Sequence, residues 1–308
     1  MGTRHVLGSD RVHNVFDNSL QPVLTIDAGD IVTFDCPGQP LPRHASVDDL
    51  SSLDSERPHT VVGPVALRGA SPGDTLVVEI VDVVLLSDHG HCFYLSGGGL
   101  LGADFAEPYI HNFELSNEAY TELRPGIRIP LRPFCGIMGV APAEPGIHST
   151  VPPRSVGGNL DIRHLTVGST LFLPVCVDGA LFSCGDGHAA QGDGEVCETA
   201  LETAVRATLR FSLRKAQSIP EPRFLTPAPL ERHGDRAGYF VTCACGNDLY
   251  ECSQRAVRYM LDYLVEEFGL SREEAYVLCS LTVDLKISEI VDEPNWIVSA
   301  YLPLGIFA

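Results

Sequence analysis

Three segments of this chain share one rhythm: LTIDAGDIVTFDC (24–36), LRGASPGDTLVVEIVDV (67–83) and LTVGSTLFLPVCVDG (165–179). Each sets a glycine in a turn, at Gly29-Asp30, Gly73-Asp74 and Gly168-Ser169, and then alternates apolar with polar residues. Glycine supplies the turn, and period-two alternation is the mark of a strand with one buried face. A chain that restarts this unit repeatedly builds an all-β sandwich or barrel. The three matches are too short to mark an internal duplication. Most of the first 215 residues read the same way, interrupted by two long Gly/Pro-rich stretches at 94–102 and 141–159. Loops of that length tend to be functional.

The pattern changes towards the end. In NDLYECSQRAVRYMLDYLVEEFG the residues Ala256, Val257, Met260, Leu261, Leu264, Val265 and Phe268 follow helical spacing. Asn247 or Asp248 fits the N-cap and Gly269 the stop. Ser271 with Glu274 forms a capping box for a second helix. VDLKISEIVD and NWIVSAYLP read as closing strands. The expected fold is mainly β, sandwich- or barrel-like in its N-terminal part, with an α+β C-terminal part. The expected division is a β-rich domain over 1–217 carrying the Gly/Asp/His loops, and an α+β region over 218–308 packed on it. Residues 218–238 read as the linker or crossing segment.

Composition limits the function. With 44% apolar and 20% charged residues the chain is an ordinary globular protein. A net charge of -19 and no basic stripe argue against nucleic acid and anionic membranes as partners. No run reaches membrane-spanning length, and MGTRHVLGSDRVHNVF has no apolar core of a signal peptide, so a cytoplasmic location is expected. The ten cysteines include no C-x-x-C pair and sit mostly in apolar runs. They read as small buried hydrophobes in a reducing compartment.

The chemistry-bearing candidates are polar knots between apolar runs. In GDGHAAQGDGEV (185–196) Asp186, His188, Asp193 and Glu195 stand among glycines. Asp186 and His188 are two apart, which on a straight strand turns both to one side. A Gly-rich turn can then bring Glu195 back, and His with carboxylates converging on one point is a divalent-metal set. The competing reading is a tight hairpin whose Asp side chains cap turn amides. In PPRSVGGNLDIRHL, Arg154, Asn159, Asp161 and His164 surround Gly157-Gly158. Arg154 there orients a substrate carbonyl or simply pairs with a carboxylate. His13, His59 and the HGH at 89–91 are weaker signals. No G-x-S-x-G elbow, phosphate loop, dinucleotide fingerprint or Ser–Ser–Lys pattern is present.

The stretch VPPRSVGGNLDIRHLTVGSTLFLPVCVDGALFSCGDGHAAQGDGEV resembles the signature region of the acetamidase/formamidase family. HNVFDNSLQPVLTIDAGDIVTF, GPVALRGASPGDTLVVEI, PFCGIMGVAP and the ending from REEAYVLCS to YLPLGIF resemble it too. The resemblance implies a cytoplasmic homo-oligomer, a dimer first, that hydrolyses short aliphatic amides to carboxylate and ammonia. It makes Asn159, Asp161, Asp186, His188, Gln191 and Glu195 site candidates. The chain departs from the family pattern in the short FDCPGQ segment and in Val62 before Gly-Pro, two places that bear on pocket shape.

The expected mechanism uses water activated by a divalent metal ion, zinc first, with calcium, manganese and iron as alternatives. His188 and Asp161 would bind it, with Asp186 or His59 completing the set. Glu195 would serve as general base, with Asn159 and Gln191 holding the oxyanion. Arg154, Gly158 and His13 are the substrate-binding candidates. Two other readings stay open: a lactam hydrolase of the same chemistry, and a non-catalytic, calcium-stabilised β-sandwich that binds a small ligand.

Overall fold

The three rhythmic segments end up in one sheet. A computed structural model describes residues 2–53, 59–117, 119–227, 237–291 and 293–307. In it the first sheet runs, edge to edge, Arg4–Leu7, Ile31–Cys36, Val205–Arg214, Thr75–Leu85, Thr170–Pro174 and Arg223–Leu225. Its first pair is parallel and the rest antiparallel. Gly29, Gly73 and Gly168 all have positive φ just before their strands, as the turn reading requires. The last strand belongs to the stretch expected as a linker. Residues 228–236 of that stretch lie outside the described residues.

A second sheet runs Gly157–Asn159, Phe134–Gly139, Phe182–His188, Val61–Leu67 and Val12–His13, with Leu24–Ile26 also pairing to Val61–Leu67. The two sheets share one apolar core. Val32, Phe34, Val78, Leu209 and Phe211 enter it from the first, and Val62, Met138, Phe182 and Cys184 from the second. Phe34 and Phe211 both meet Phe182 edge-on across the gap, at 6.0 and 5.1 Å between ring centroids.

The C-terminal part is α+β. Tyr239–Gly246, Trp296–Pro303 and Asp284–Glu289 form a three-stranded antiparallel sheet. The helix Leu249–Phe268 is capped by Asp248, whose carboxylate accepts from the Glu251 amide, and stops at Gly269 with φ 62°. Ser271 and Glu274 form the expected capping box of Arg272–Thr282. A second core, with Met260, Leu261 and Tyr276 from the helices, also draws Cys92, Phe113, Val196 and Leu201 from the other side of residue 217. No described helix is long and apolar enough to cross a membrane. Seven cysteines are buried, whereas Cys243 and Cys245 on Tyr239–Gly246 are exposed.

Candidate active site

The site is built around a residue with no side chain. The strands Phe134–Gly139 and Phe182–His188 pair antiparallel, with Cys135 opposite Gly187 and Ile137 opposite Gly185. That register sets Gly136 opposite Asp186. The Gly136 carbonyl also accepts from the amides of Leu160 and Asp161, which draws the following segment onto the same spot. A Cβ on Gly136 would lie 2.5 Å from Asp161 Oδ1, 2.7 Å from Asp186 Oδ2 and 2.7 Å from His188 Cε1. The missing side chain is the space in which these groups meet.

Four carboxylates face one imidazole. His188 Nε2 lies 3.2 Å from Glu202 Oε1, 3.3 Å from Asp186 Oδ2 and 4.0 Å from Glu195 Oε1. Its Nδ1 lies 4.0 Å from Asp161 Oδ1. The ligand atoms of Asp161, Asp186 and His188 fall within 4.8 Å of one another, as do those of His188, Glu195 and Glu202. Asp161, Asp186 and Glu195 adopt φ of 48°, 58° and 43°. Non-glycine residues rarely hold this left-handed conformation, and it costs about 1–3 kcal/mol where it occurs. Asp186 and His188 thus converge through a twisted, not a straight, strand.

Electrostatics sharpen the picture. Burial works against the cationic form of His188, but Glu202 and Asp186 outweigh it and hold its pKa well above the ordinary value. Burial pushes the Asp161 carboxyl up to about 7, and pushes Glu195 and Glu202 up as well. Asp186 meets the same burial, yet the rings of His188 and His59 keep it below the usual carboxylate range. Asp161 Oδ1 and His59 Nδ1 are buried without a hydrogen-bond partner. An orphaned carboxylate oxygen such as Asp161 Oδ1 is costly in a native fold and points to a missing cationic partner.

Glu202 has no place among the sequence candidates. It stands in ETALETAV, which reads as an apolar flank, and nothing in its spacing sets it apart. It arrives because Gly187 admits a neighbouring backbone: a Cβ there would sit 2.4 Å from the Thr203 carbonyl. The Thr203 amide donates to the Gly187 carbonyl at 2.8 Å. Gly136 lies in PFCGIMG, where sequence shows only the family likeness.

The remaining candidates fall in different places. Gln191 is committed at both ends: its Oε1 accepts from His188 Nδ1 at 2.9 Å and its Nε2 donates to the Asp161 carbonyl at 2.6 Å. It therefore orients the imidazole, with Nε2 of the ring turned to the carboxylates, and it does not itself line the cavity above them. Asn159 donates through Nδ2 to the Val151 carbonyl at 3.1 Å, and its Oδ1 is buried without a partner. As placed its unpartnered oxygen offers an acceptor, and the second hydrogen on Nδ2 is the donor it has left for an oxyanion.

His59 lines the cavity but stands outside both ligand groups. His13 is held by Val15 and Ser183, and Arg154 bonds the Ser149 carbonyl. Gly158 pairs with Met138. None of these last three lines the cavity above the cluster. Asp193 is drawn away too: with Asp284 it binds the buried Arg163, each at 2.7 Å.

That cavity has a volume of about 310 Å³. Asp161, Asp186, Glu195 and Glu202 meet it, together with Gln39, His59, Asn159 and Glu198. Both long Gly/Pro-rich stretches reach it, through Leu95 and Val151. Of the two departures from the family pattern, FDCPGQ lies beside the site through Gln39, while Val62 is a core residue.

A sandwich that presents four acids at the floor of a cavity, over a buried imidazole, is arranged to act on a small molecule. The chain belongs to the acetamidase/formamidase family, hydrolases of amide carbon–nitrogen bonds, whose model matches residues 3–147 and 143–308. It is 26% identical to the formamidase of Methylophilus methylotrophus, over 96% of this chain and 89% of that one. Among solved structures it matches the gamma lactamase from Delftia acidovorans with a TM-score of 0.89 at 26% identity, over 96% and 89% of the two chains. It matches an acetamidase from Bacillus halodurans with a TM-score of 0.66 at 30% identity, over 97% of each.

Proposed function

We propose that this protein hydrolyses a primary amide to a carboxylate and ammonia, using a divalent metal ion held by His188 and the carboxylates around it. The observation that carries the reading is the convergence of Asp161, Asp186, Glu195 and Glu202 on His188 under the cavity. The donor set fits such an ion. Four acids and one imidazole are crowded together, and Asp161 Oδ1 is buried without a partner. Mixed nitrogen and oxygen donors suit zinc first, then manganese or iron. The imidazole speaks against calcium, which takes oxygen ligands.

When bound, the ion acidifies a water and polarises the amide carbonyl. The chain's own residues do the rest. Gln191 fixes the His188 tautomer so that Nε2 faces the cluster. Glu195 stands 4.0 Å from that nitrogen and lines the cavity, where it takes the proton from water and returns it to the departing nitrogen. Asn159 Oδ1 accepts from the substrate's amide N–H and so turns the carbonyl towards the cluster. The resemblance to the gamma lactamase at TM-score 0.89 favours a second reading, in which the amide is cyclic and the same groups open the ring.

The test is metal analysis of the purified protein together with ammonia release before and after chelation. Release that stops with metal removal and returns on its addition supports the reading. Full activity in metal-free protein refutes it. Glu195→Gln should abolish turnover while metal stays bound, and loss of metal from that variant would make Glu195 a ligand instead.

A further inference from the structure

We infer that the substrate is an uncharged amide whose acyl part is an apolar body of about five to eight carbons, a size class that fills pockets of this kind. The inference rests on the amidase reading and concerns the wall of the cavity, not its floor. The volume of about 310 Å³ would hold at least about ten waters. Formamide or acetamide displaces only about two or three of those. Either would leave the cluster wet, and water weakens every charge interaction the chemistry relies on.

The lining says what fills the remainder. Leu53, Phe93, Leu95 and Val151 face the same cavity. Phe93 is packed firmly, within a small core of Leu41, Ala45 and Leu50. Val151 is 44% exposed in the loop that leads into the strand Gly157–Asn159. A bound apolar body would cover it. No Lys or Arg stands among the described lining residues, while Glu198 adds a fifth acid. Its carboxylate accepts from the Leu95 amide at 3.0 Å, which ties the acid to the apolar wall. An anionic acyl chain would meet Glu198 on this wall with no Lys or Arg to offset it, which disfavours an anion, and the apolar side chains around it disfavour a charge of either sign.

The experiment measures kcat/KM by ammonia release, with metal supplied, for formamide, acetamide, butyramide, hexanamide, benzamide and the anionic succinamate. The expected result is a rise of up to about fourfold per added methylene to hexanamide, and no use of succinamate. Val151→Trp should lower the hexanamide-to-acetamide ratio at least about tenfold, chiefly through KM. A protein that works best on formamide or acetamide overturns the size class and leaves the amidase reading standing. A hexanamide preference untouched by Val151→Trp overturns the assignment to this wall. No ammonia from any of the six refutes the amidase reading itself.

Discussion

Gly136 shows how much of a site can rest on an absent side chain. Asp161, Asp186 and His188 all reach into the volume its Cβ would fill. Gly136→Ala should therefore cost about 100-fold or more in turnover, the usual penalty for displacing reacting groups by about an ångström. Bound metal should fall below one per chain while the far-ultraviolet spectrum of the sandwich persists. Unchanged metal content in that variant would mean that the ion sits elsewhere. On the proposed reading Gln191 acts through His188, whose Nδ1 it holds, and not on the substrate. Gln191→Leu removes the acceptor that orients the ring, and metal affinity should drop about 10- to 100-fold. Competition with a metal indicator measures this directly, and an unaltered affinity would show that packing alone orients His188.

At the scale of elements, turns and caps follow local rules, and their stability can be tested locally. Asp74 closes the turn before Thr75–Leu85. It accepts from the amides of Ser71 and Ala216 and pairs with Lys215 Nζ at 2.7 Å. Lys215 first, and then the Ala216 amide, hold its pKa down at about 2. A carboxyl with a depressed folded pKa stabilises the fold above its unfolded value, and this contribution fades as pH falls through the folded one. Between about pH 4 and 2 the wild type should lose this contribution, and Asp74→Asn should start lower and fall less steeply. Parallel unfolding curves for the two across that range would dismiss the pairing.

Local pattern also made the helices legible. Asp248, Gly269 and the Ser271–Glu274 box lie where capping chemistry puts them, because a cap involves only residues within one turn. The edge strand Arg223–Leu225 was not legible. It is short, and Pro-rich sequence surrounds it. It forms because Thr170–Pro174 offers an open edge, which is a fact about a distant segment.

At the scale of the whole molecule, the site joins segments from across the chain: 136, 161, 186–202 and the His59 and Phe93 walls. Arg163, bound to Asp193 and Asp284, ties the site loop to the C-terminal sheet. With ligands drawn from so many places, the proposed metal binding would be a folding term, since the unfolded chain cannot assemble them. Removing the metal should lower the melting temperature, with a shift that grows with the logarithm of free metal on titration. A melting temperature indifferent to chelator would count against an ion at this cluster.

The sequence alone determined the mainly β class, the α+β ending, the caps, and the His188, Asp186, Asp161 and Glu195 candidates. Periodicity, turn chemistry and clustered polar residues act over a few positions and are visible without a fold. Tertiary structure alone decided that Glu202 completes the cluster and that Gly136 makes room for it. It also decided that Gln191 serves His188, and that His13, Arg154 and Gly158 stand away from the cavity. These depend on strand register and on which backbones approach one another. Both are set by pairing between residues far apart in the chain, and no local pattern records them.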